Sequence, residues 1–287
     1  MAGIENPLGI VQEQSARISQ SARRWIIPLA RFGYAAKGVV YLIIGALAAL
    51  AAFNKGGKTT DSRGALEEIL YQPYGKLLLG LVAIGLIGYA LWRIVQSIKD
   101  TENKGSGFKG IATRVGYAAI GLLYASLALT AVQMIMSSGN NNKAGGEPAQ
   151  EWTARLLSQP FGQLIVGAVG AGFIALALFQ FYKAYTAKFR ENLMTEEMSP
   201  QIETFALRTG QFGLSARGIV FGIIGFFLIL AALNSNPKEA QGVSGALSAL
   251  EQQTFAPWLF GVVAVGLAAY GFYMLVQARY RRIIIDQ

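Results

Sequence analysis

Six long apolar runs, at about residues 33–53, 75–98, 115–136, 161–185, 213–233 and 256–277, alternate with short polar connections, and none of them contains Asp or Glu. A hydrocarbon core about 30 Å thick takes roughly 20 residues of helix to cross. The pattern therefore predicts six transmembrane helices. Within the outer connections the spacing changes. Leu66, Ile69 and Leu70 fall at helical intervals, as do Leu247 and Leu250, and Trp152, Leu156 and Leu157 stand in the matching place. These read as short amphipathic helices lying in the outer interface. The segment 1–29 is polar with sparse apolar positions (Leu8, Val11, Ile18, Trp25, Leu29). From Pro7 to Ile27 it reads as an amphipathic helix on the cytoplasmic membrane surface, with a flexible tail as the alternative. No basic stretch followed by an apolar core and a small-residue cleavage site stands in the first fifty residues, so no cleaved secretory signal is expected.

The runs come in pairs, and the pairs repeat. Arg31-Phe-Gly-Tyr-Ala-Ala-Lys-Gly-Val-Val-Tyr41 returns as Arg114-Val-Gly-Tyr-Ala-Ala-Ile-Gly-Leu-Leu-Tyr124 and, more loosely, as Gln211-Phe-Gly-Leu-Ser-Ala-Arg-Gly-Ile-Val-Phe221. The second run of each pair carries Gly80-Leu-Val-Ala-Ile-Gly-Leu-Ile-Gly-Tyr89, Gly167-Ala-Val-Gly-Ala-Gly-Phe-Ile-Ala-Leu176 or Gly261-Val-Val-Ala-Val-Gly-Leu-Ala-Ala-Tyr270. Gln-Pro73-Tyr-Gly75 and Gln-Pro160-Phe-Gly162 precede two of these, with Pro placed to open the helix. The expected fold is an all-α integral membrane protein of three two-helix repeats, at 30–100, 114–188 and 208–282, with a cytoplasmic linker at 189–207. An even number of spans per repeat makes the repeats parallel, related by an axis along the membrane normal. A pseudo-threefold bundle and a side-by-side row both satisfy that.

Composition agrees with the membrane and sets the orientation. The chain is 53% hydrophobic and 14% charged, against about a quarter charged in soluble domains. Of its 25 Lys and Arg residues, 18 fall on the side of the termini and 7 on the other. The positive-inside rule then makes both termini cytoplasmic. The net charge of +9 follows this distribution and comes with no nucleic-acid-binding motif. It implies contact with anionic lipid headgroups on the cytoplasmic side and no nucleic acid. Cys and His are absent, which removes thiolate chemistry and the usual zinc, haem and non-haem iron ligands. No carboxylate or imidazole lies inside a span for proton coupling. Glu67-Glu68 and Glu196-Glu197 are sequence neighbours that splay apart on a helix. No enzyme activity and no cofactor are expected.

Two sets of residues stand out. Glycines recur at matched places in the spans: Gly38 and Gly45, Gly121, and Gly218 and Gly225 in the first helices, and Gly80 and Gly85, Gly167 and Gly172, and Gly261 and Gly266 in the second. Small residues let helix backbones approach closely in lipid, so these are read as packing positions. The second set is Lys37 and Arg217, which share one place where the middle repeat has Ile120. A charge one turn inside the membrane is costly. Snorkelling to the cytoplasmic interface is the inexpensive arrangement, and contact with an anion or lipid headgroup on the axis is the functional one. Arg93 and Lys183 read as anchors at helix ends. Gln96, Gln180, Gln277, Tyr41, Tyr89, Tyr124 and Tyr270 are candidates for interhelical hydrogen bonds. The linkers read as solvated, with docking of an unknown protein partner as the alternative.

These openings and their order resemble the bacterial family catalogued as domain of unknown function 1206, over roughly Ala30 to Arg282. The resemblance implies a six-span membrane protein and brings no catalytic or binding residues. The function read from the chain is a structural or partner-binding component of the bacterial inner membrane, an internal photosynthetic membrane being the other candidate location. The alternative function is an uncoupled channel or facilitator for a small solute or anion along the repeat axis. The orientation is testable because the chain has no cysteine. A membrane-impermeant thiol reagent should label Lys55→Cys from outside intact cells, and Lys109→Cys only in inverted vesicles.

Overall fold

The computed structural model describes residues 7–101, 105–137, 148–252 and 257–283, with side chains from residue 25 onward except those of Pro148 and Pro257. Residues 1–6, the side chains of Leu8, Val11 and Ile18, Lys104 and Lys143 lie outside the described residues. Helix α1 (Pro7–Ala52) is followed by α2 (Ser62–Leu70), α3 (Gly75–Lys99), α4 (Phe108–Met136), α5 (Pro148–Leu157), α6 (Gly162–Thr186), α7 (Pro200–Leu233), α8 (Val243–Glu251) and α9 (Pro257–Tyr280). Six of these contain stretches long and apolar enough to cross a membrane, Trp25–Ala52, Gly75–Lys99, Phe108–Met136, Gly162–Thr186, Pro200–Leu233 and Trp258–Tyr280. The protein is a multi-pass membrane protein.

Two boundaries differ from those expected. The amphipathic stretch from Pro7 is one continuous helix with the first span, with Pro28 inside it, so it is not a separate surface helix. Second, α7 begins at Pro200, capped by the Ser199 hydroxyl on the Ile202 N–H, and takes up the second half of the expected linker. The first half is folded onto the end of α9. Phe189 is buried with its ring 5.1 Å from that of Tyr273, the Met194 N–H donates to the Tyr280 carbonyl at 2.8 Å, and the Arg282 N–H donates to the Asn192 carbonyl at 2.9 Å. The apolar pair Phe189 and Leu193, both buried within a segment of mixed charge, drives this docking.

The Pro-containing entries are tight turns rather than first helical turns. Tyr74 and Phe161 adopt left-handed φ of 61° and 62°, and the N–H groups of Gly75 and Gly162 donate to the carbonyls of Gln72 and Gln159. A Cβ on Gly75 would lie 2.0 Å from the Leu70 carbonyl oxygen, and on Gly162 2.3 Å from that of Leu156. Only glycine lets the short outer helix fold back this closely on the next span.

Around the bundle the neighbour order is α4, α3, α1, α9, α7, α6. Each first helix of a repeat thus packs on the second helix of the preceding repeat, counted cyclically, and glycine mediates all three of these contacts. A Cβ on Gly38 would sit 2.9 Å from the Gly271 carbonyl oxygen of α9, on Gly121 3.0 Å from Ile94 of α3, and on Gly218 3.0 Å from Phe181 of α6. Gly45 faces the Ala268 backbone, and Gly225 faces Gly170 and Ile174. Gly80, Gly167 and Gly261 meet the position-matched Ile135, Ala232 and Ala52 at ordinary contact distance. Aromatic pairs follow the same rule: Tyr89 with Tyr124, Tyr270 with Tyr41, and Phe173 with Phe221.

Within a repeat the contacts are made twice and missing once. Gly33 lies against Tyr89 and Gly85 against Ala36 in the first, and Gly213 lies against Tyr270 and Gly266 against Ala216 in the third. In the second repeat, Gly116 and Gly172 meet nothing within 4 Å, and α4 is not packed on α6. The bundle is a pseudo-threefold ring open at one seam.

Gly45→Ala would drive a Cβ to 2.4 Å from the Ala268 nitrogen. Overpacking of this kind costs about 1–3 kcal/mol, so thermal unfolding of the purified protein should show a clear loss of stability. Gly116→Ala, placed in open space, should be neutral or slightly stabilising through helix propensity.

Candidate functional site: a cation and tyrosine cluster inside the ring

Lys37 is on α1, about 18 Å along the helix from Trp25 at 1.5 Å per residue. Its side chain does not snorkel. It is 4% exposed and its Nζ donates to the Tyr89 hydroxyl at 3.0 Å. Four rings surround that Nζ, with centroids at 4.7 Å (Tyr89), 5.0 Å (Tyr124), 5.6 Å (Tyr270) and 5.9 Å (Tyr41). They come from α3, α4, α9 and α1, so Lys37 points into the ring. A tyrosine gives a buried ammonium both an acceptor oxygen and a negative π face, the latter contributing about 2 kcal/mol when desolvated.

Arg217, in the matched place on α7, donates to the Tyr270 hydroxyl at 2.9 Å. Its guanidinium lies 4.4 Å from the Tyr270 ring, 4.8 Å from Phe221 and 5.5 Å from Tyr41. Its Nε is buried and makes no hydrogen bond. Arg93 of α3 completes the group. It donates to the Tyr89 hydroxyl through Nη2 at 2.7 Å and through Nε at 3.0 Å, and to Gln96 at 2.9 Å. Tyr89, 0% exposed, therefore accepts from two cations at once.

Toward the end of the ring that carries the chain terminus, the polar lining continues. The Arg281 guanidinium stacks 5.0 Å from the Tyr34 ring and donates to Gln277, and Tyr34 packs edge-on against Tyr89 at 5.1 Å. The Tyr34 and Tyr273 hydroxyls are buried, the first beside the Trp92 indole N–H and the second beside Gln277.

The cluster contains no acid. Among the described residues, the carboxylates in ion pairs lie in the connections or at helix ends: Glu68 with Lys58, Glu67 with Arg63, Glu203 with Arg190, and Glu196 with Arg282. None pairs with Lys37, Arg93 or Arg217. No three His, Cys, Asp or Glu side chains converge on a metal position among those residues. The chemistry on offer is that of fixed cations and phenol donors, which bind an anionic oxygen.

The sequence singled out Lys37 and Arg217, and the structure brings them into one interior around the Tyr41 and Tyr270 rings. Arg93 reads in the sequence as a helix-end anchor because it lies near the end of its span, and its matched positions, Gln180 and Met274, give no repeat pattern that marks it for the interior. Its i to i+4 relation to Tyr89 was the available signal. Lys183, the other expected anchor, stands over the Phe179 ring at 5.5 Å and is not part of the cluster. Gln96, Gln180 and Gln277 are all buried.

The family described as Domain of Unknown Function (DUF1206) matches the chain over residues 32–100, 115–187 and 212–281, one segment per repeat. The chain belongs to this family. It is also similar to the "Uncharacterized protein YxxB" of Bacillus subtilis (strain 168), with 37% identity over 274 residues, 96% of this chain and 98% of the other. No solved structure matches it. The three DUF1206 segments include Lys37, Arg93 and Arg217 together with all four tyrosines that surround Lys37.

Tyr89→Phe removes the shared acceptor while keeping the ring. At about 1–3 kcal/mol for a stranded buried donor, more for charged ones, it should lower stability well beyond Tyr124→Phe, since Lys37 meets Tyr124 over its ring. Comparing the two unfolding midpoints checks this.

Proposed function

We propose that the protein is a non-enzymatic, anion-binding component of the bacterial inner membrane, with both termini cytoplasmic. The cluster of Lys37, Arg93 and Arg217 would hold a phosphate- or carboxylate-bearing group of its membrane partner. The observation that carries this reading is three cations meeting on buried tyrosines with no acidic partner. Burying charge without a counter-charge is expensive, even where rings and hydroxyls offset part of the cost. An anion supplies the missing compensation. Tyrosine hydroxyls donate as well as accept, so they can turn to an incoming oxyanion.

A second reading, an uncoupled facilitator for a small anion along the repeat axis, is favoured by the succession from Arg281 through Arg93 to the level shared by Lys37 and Arg217. Against it stand the four rings closing over Lys37, which favour holding over passage. Absence of an intramembrane carboxylate argues against proton coupling under either reading.

Inorganic phosphate should raise the unfolding temperature of the purified protein saturably, since a ligand at a hundredfold excess over its Kd adds about 2.7 kcal/mol. Phosphate also stabilises proteins non-specifically, so the Lys37→Met, Arg217→Met double variant is the reference. An equal rise in that variant would remove the reading. Single cysteines at Ile120 and successive inward positions separate the two modes. Protection from an impermeant thiol reagent beyond the first turn accords with a closed site, and labelling to mid-membrane depth on one face would establish a pathway.

A further inference from the structure

The open seam is the feature that the cation cluster does not explain. In the first and third repeats Ala36, Gly85 and Tyr89, and Ala216, Gly266 and Tyr270, are buried between the two helices of the hairpin. Their equivalents in the second repeat, Ala119, Gly172 and Leu176, are exposed, Leu176 by 49%. Ring closure would set α4 against α6 there. With the two helices apart, these apolar positions are left uncovered beside the cluster: Tyr124 of α4 is a ring of the Lys37 cage, and Phe173 of α6 packs on Phe221 beneath Arg217.

The geometry points to this seam as a lateral binding site for an anionic phospholipid, with one acyl chain lying between α4 and α6 and the phosphate directed at Lys37 and Arg217. The inference rests on the anion-binding reading and names the anion's source. Polarity along the seam matches such a molecule. Its mouth is Ala119, Gly172 and Leu176, with no charged group, and its inner end carries cations without acids. Ile120 and Leu176 stand where the other repeats have Lys37 or Arg217 and Tyr89 or Tyr270, so the polar ring is apolar only on the side where a chain would enter. Arg217 keeps an unbonded Nε and is only half-buried, leaving donors for a phosphate oxygen. Lys37 and Arg93 lie nearer the α3–α4 connection than the outer helices, so the lipid would come from that leaflet.

The test uses the full chain in phosphatidylcholine nanodiscs containing a trace of either phosphatidylglycerol or phosphatidylcholine with a photoreactive group midway along one acyl chain. Labelled peptides are mapped by mass spectrometry. The expected result is labelling of residues 115–124 and 169–176 by the phosphatidylglycerol probe at about five times the phosphatidylcholine level or more, the factor that a single basic residue's attraction for an anionic lipid represents. Lys37→Met with Arg217→Met should abolish the difference. Leu176→Trp, which fills the seam from an exposed position and leaves the cations intact, should reduce seam labelling while keeping the phosphate-induced rise in unfolding temperature. Equal labelling by the two probes overturns the lipid site, as does a seam reached by neither because a second copy covers it. If the phosphate effect survives in those cases, the anion-binding reading stands and a free anion is its ligand. Loss of both effects removes both.

Discussion

Helices in lipid gain nothing from hiding apolar surface against one another, so what joins them is close backbone contact. In this bundle that contact is made within the first and third repeats and, in all three cases, between repeats. Gly38 and Gly271 each stand under the other's carbonyl, as do Gly170 and Gly225, and Gly121 repeats the approach on α3. The hairpin that the sequence repeats is therefore not the only packing unit. Each first helix is clamped to the second helix of its neighbour, and the hairpins are tied together by those clamps. This explains how the second repeat can leave its own two helices apart without losing either: α4 is held by α3, and α6 by α7.

The same cyclic clamping creates an interior and fills it unevenly. Matched positions on three first helices would give a symmetric ring of cations, but the chain supplies Lys37, Ile120 and Arg217. Matched positions on the second helices would give three tyrosines, but it supplies Tyr89, Leu176 and Tyr270. Arg93 adds a third cation on the side of the first repeat. The charge is thus gathered against α1, α3, α7 and α9, and the apolar substitutions fall on the two helices that border the seam. A buried cation set of this kind is tolerable because each member has a phenol within hydrogen-bonding distance and a ring face beside it.

Much of the architecture could be read from the chain, since apolar length, the glycine register and the thrice-repeated opening are local properties of sequence. The spans and the three-repeat order follow from them. Less could be read of what faces what. Lys37 was expected to snorkel because a lysine one turn inside lipid does so when only lipid surrounds it. Four tyrosines change that balance, and only Tyr41, one turn further along the same helix, is local to Lys37. Docking of Phe189 under α9 was equally hidden, since a single phenylalanine among Lys, Arg and Glu has the composition of a solvated linker.

The missing seam contact was hidden for a different reason. Gly116 and Gly172 carry the same packing signal as Gly33 and Gly85, and pattern alone would close the hairpin. Two substitutions distinguish this pair of faces. At the Tyr89 and Tyr270 position, the backbone and Cβ pack against Gly33 or Gly213 while the hydroxyl reaches a cation; Leu176 has no hydroxyl. At the Lys37 position, Ile120 offers no cation for such a hydroxyl. In the closed hairpins one residue makes both the helix contact and the cation contact, and the second repeat has neither. The open seam and the one-sided charge therefore fall on the same pair of helices, and any ligand that enters by the first meets the second.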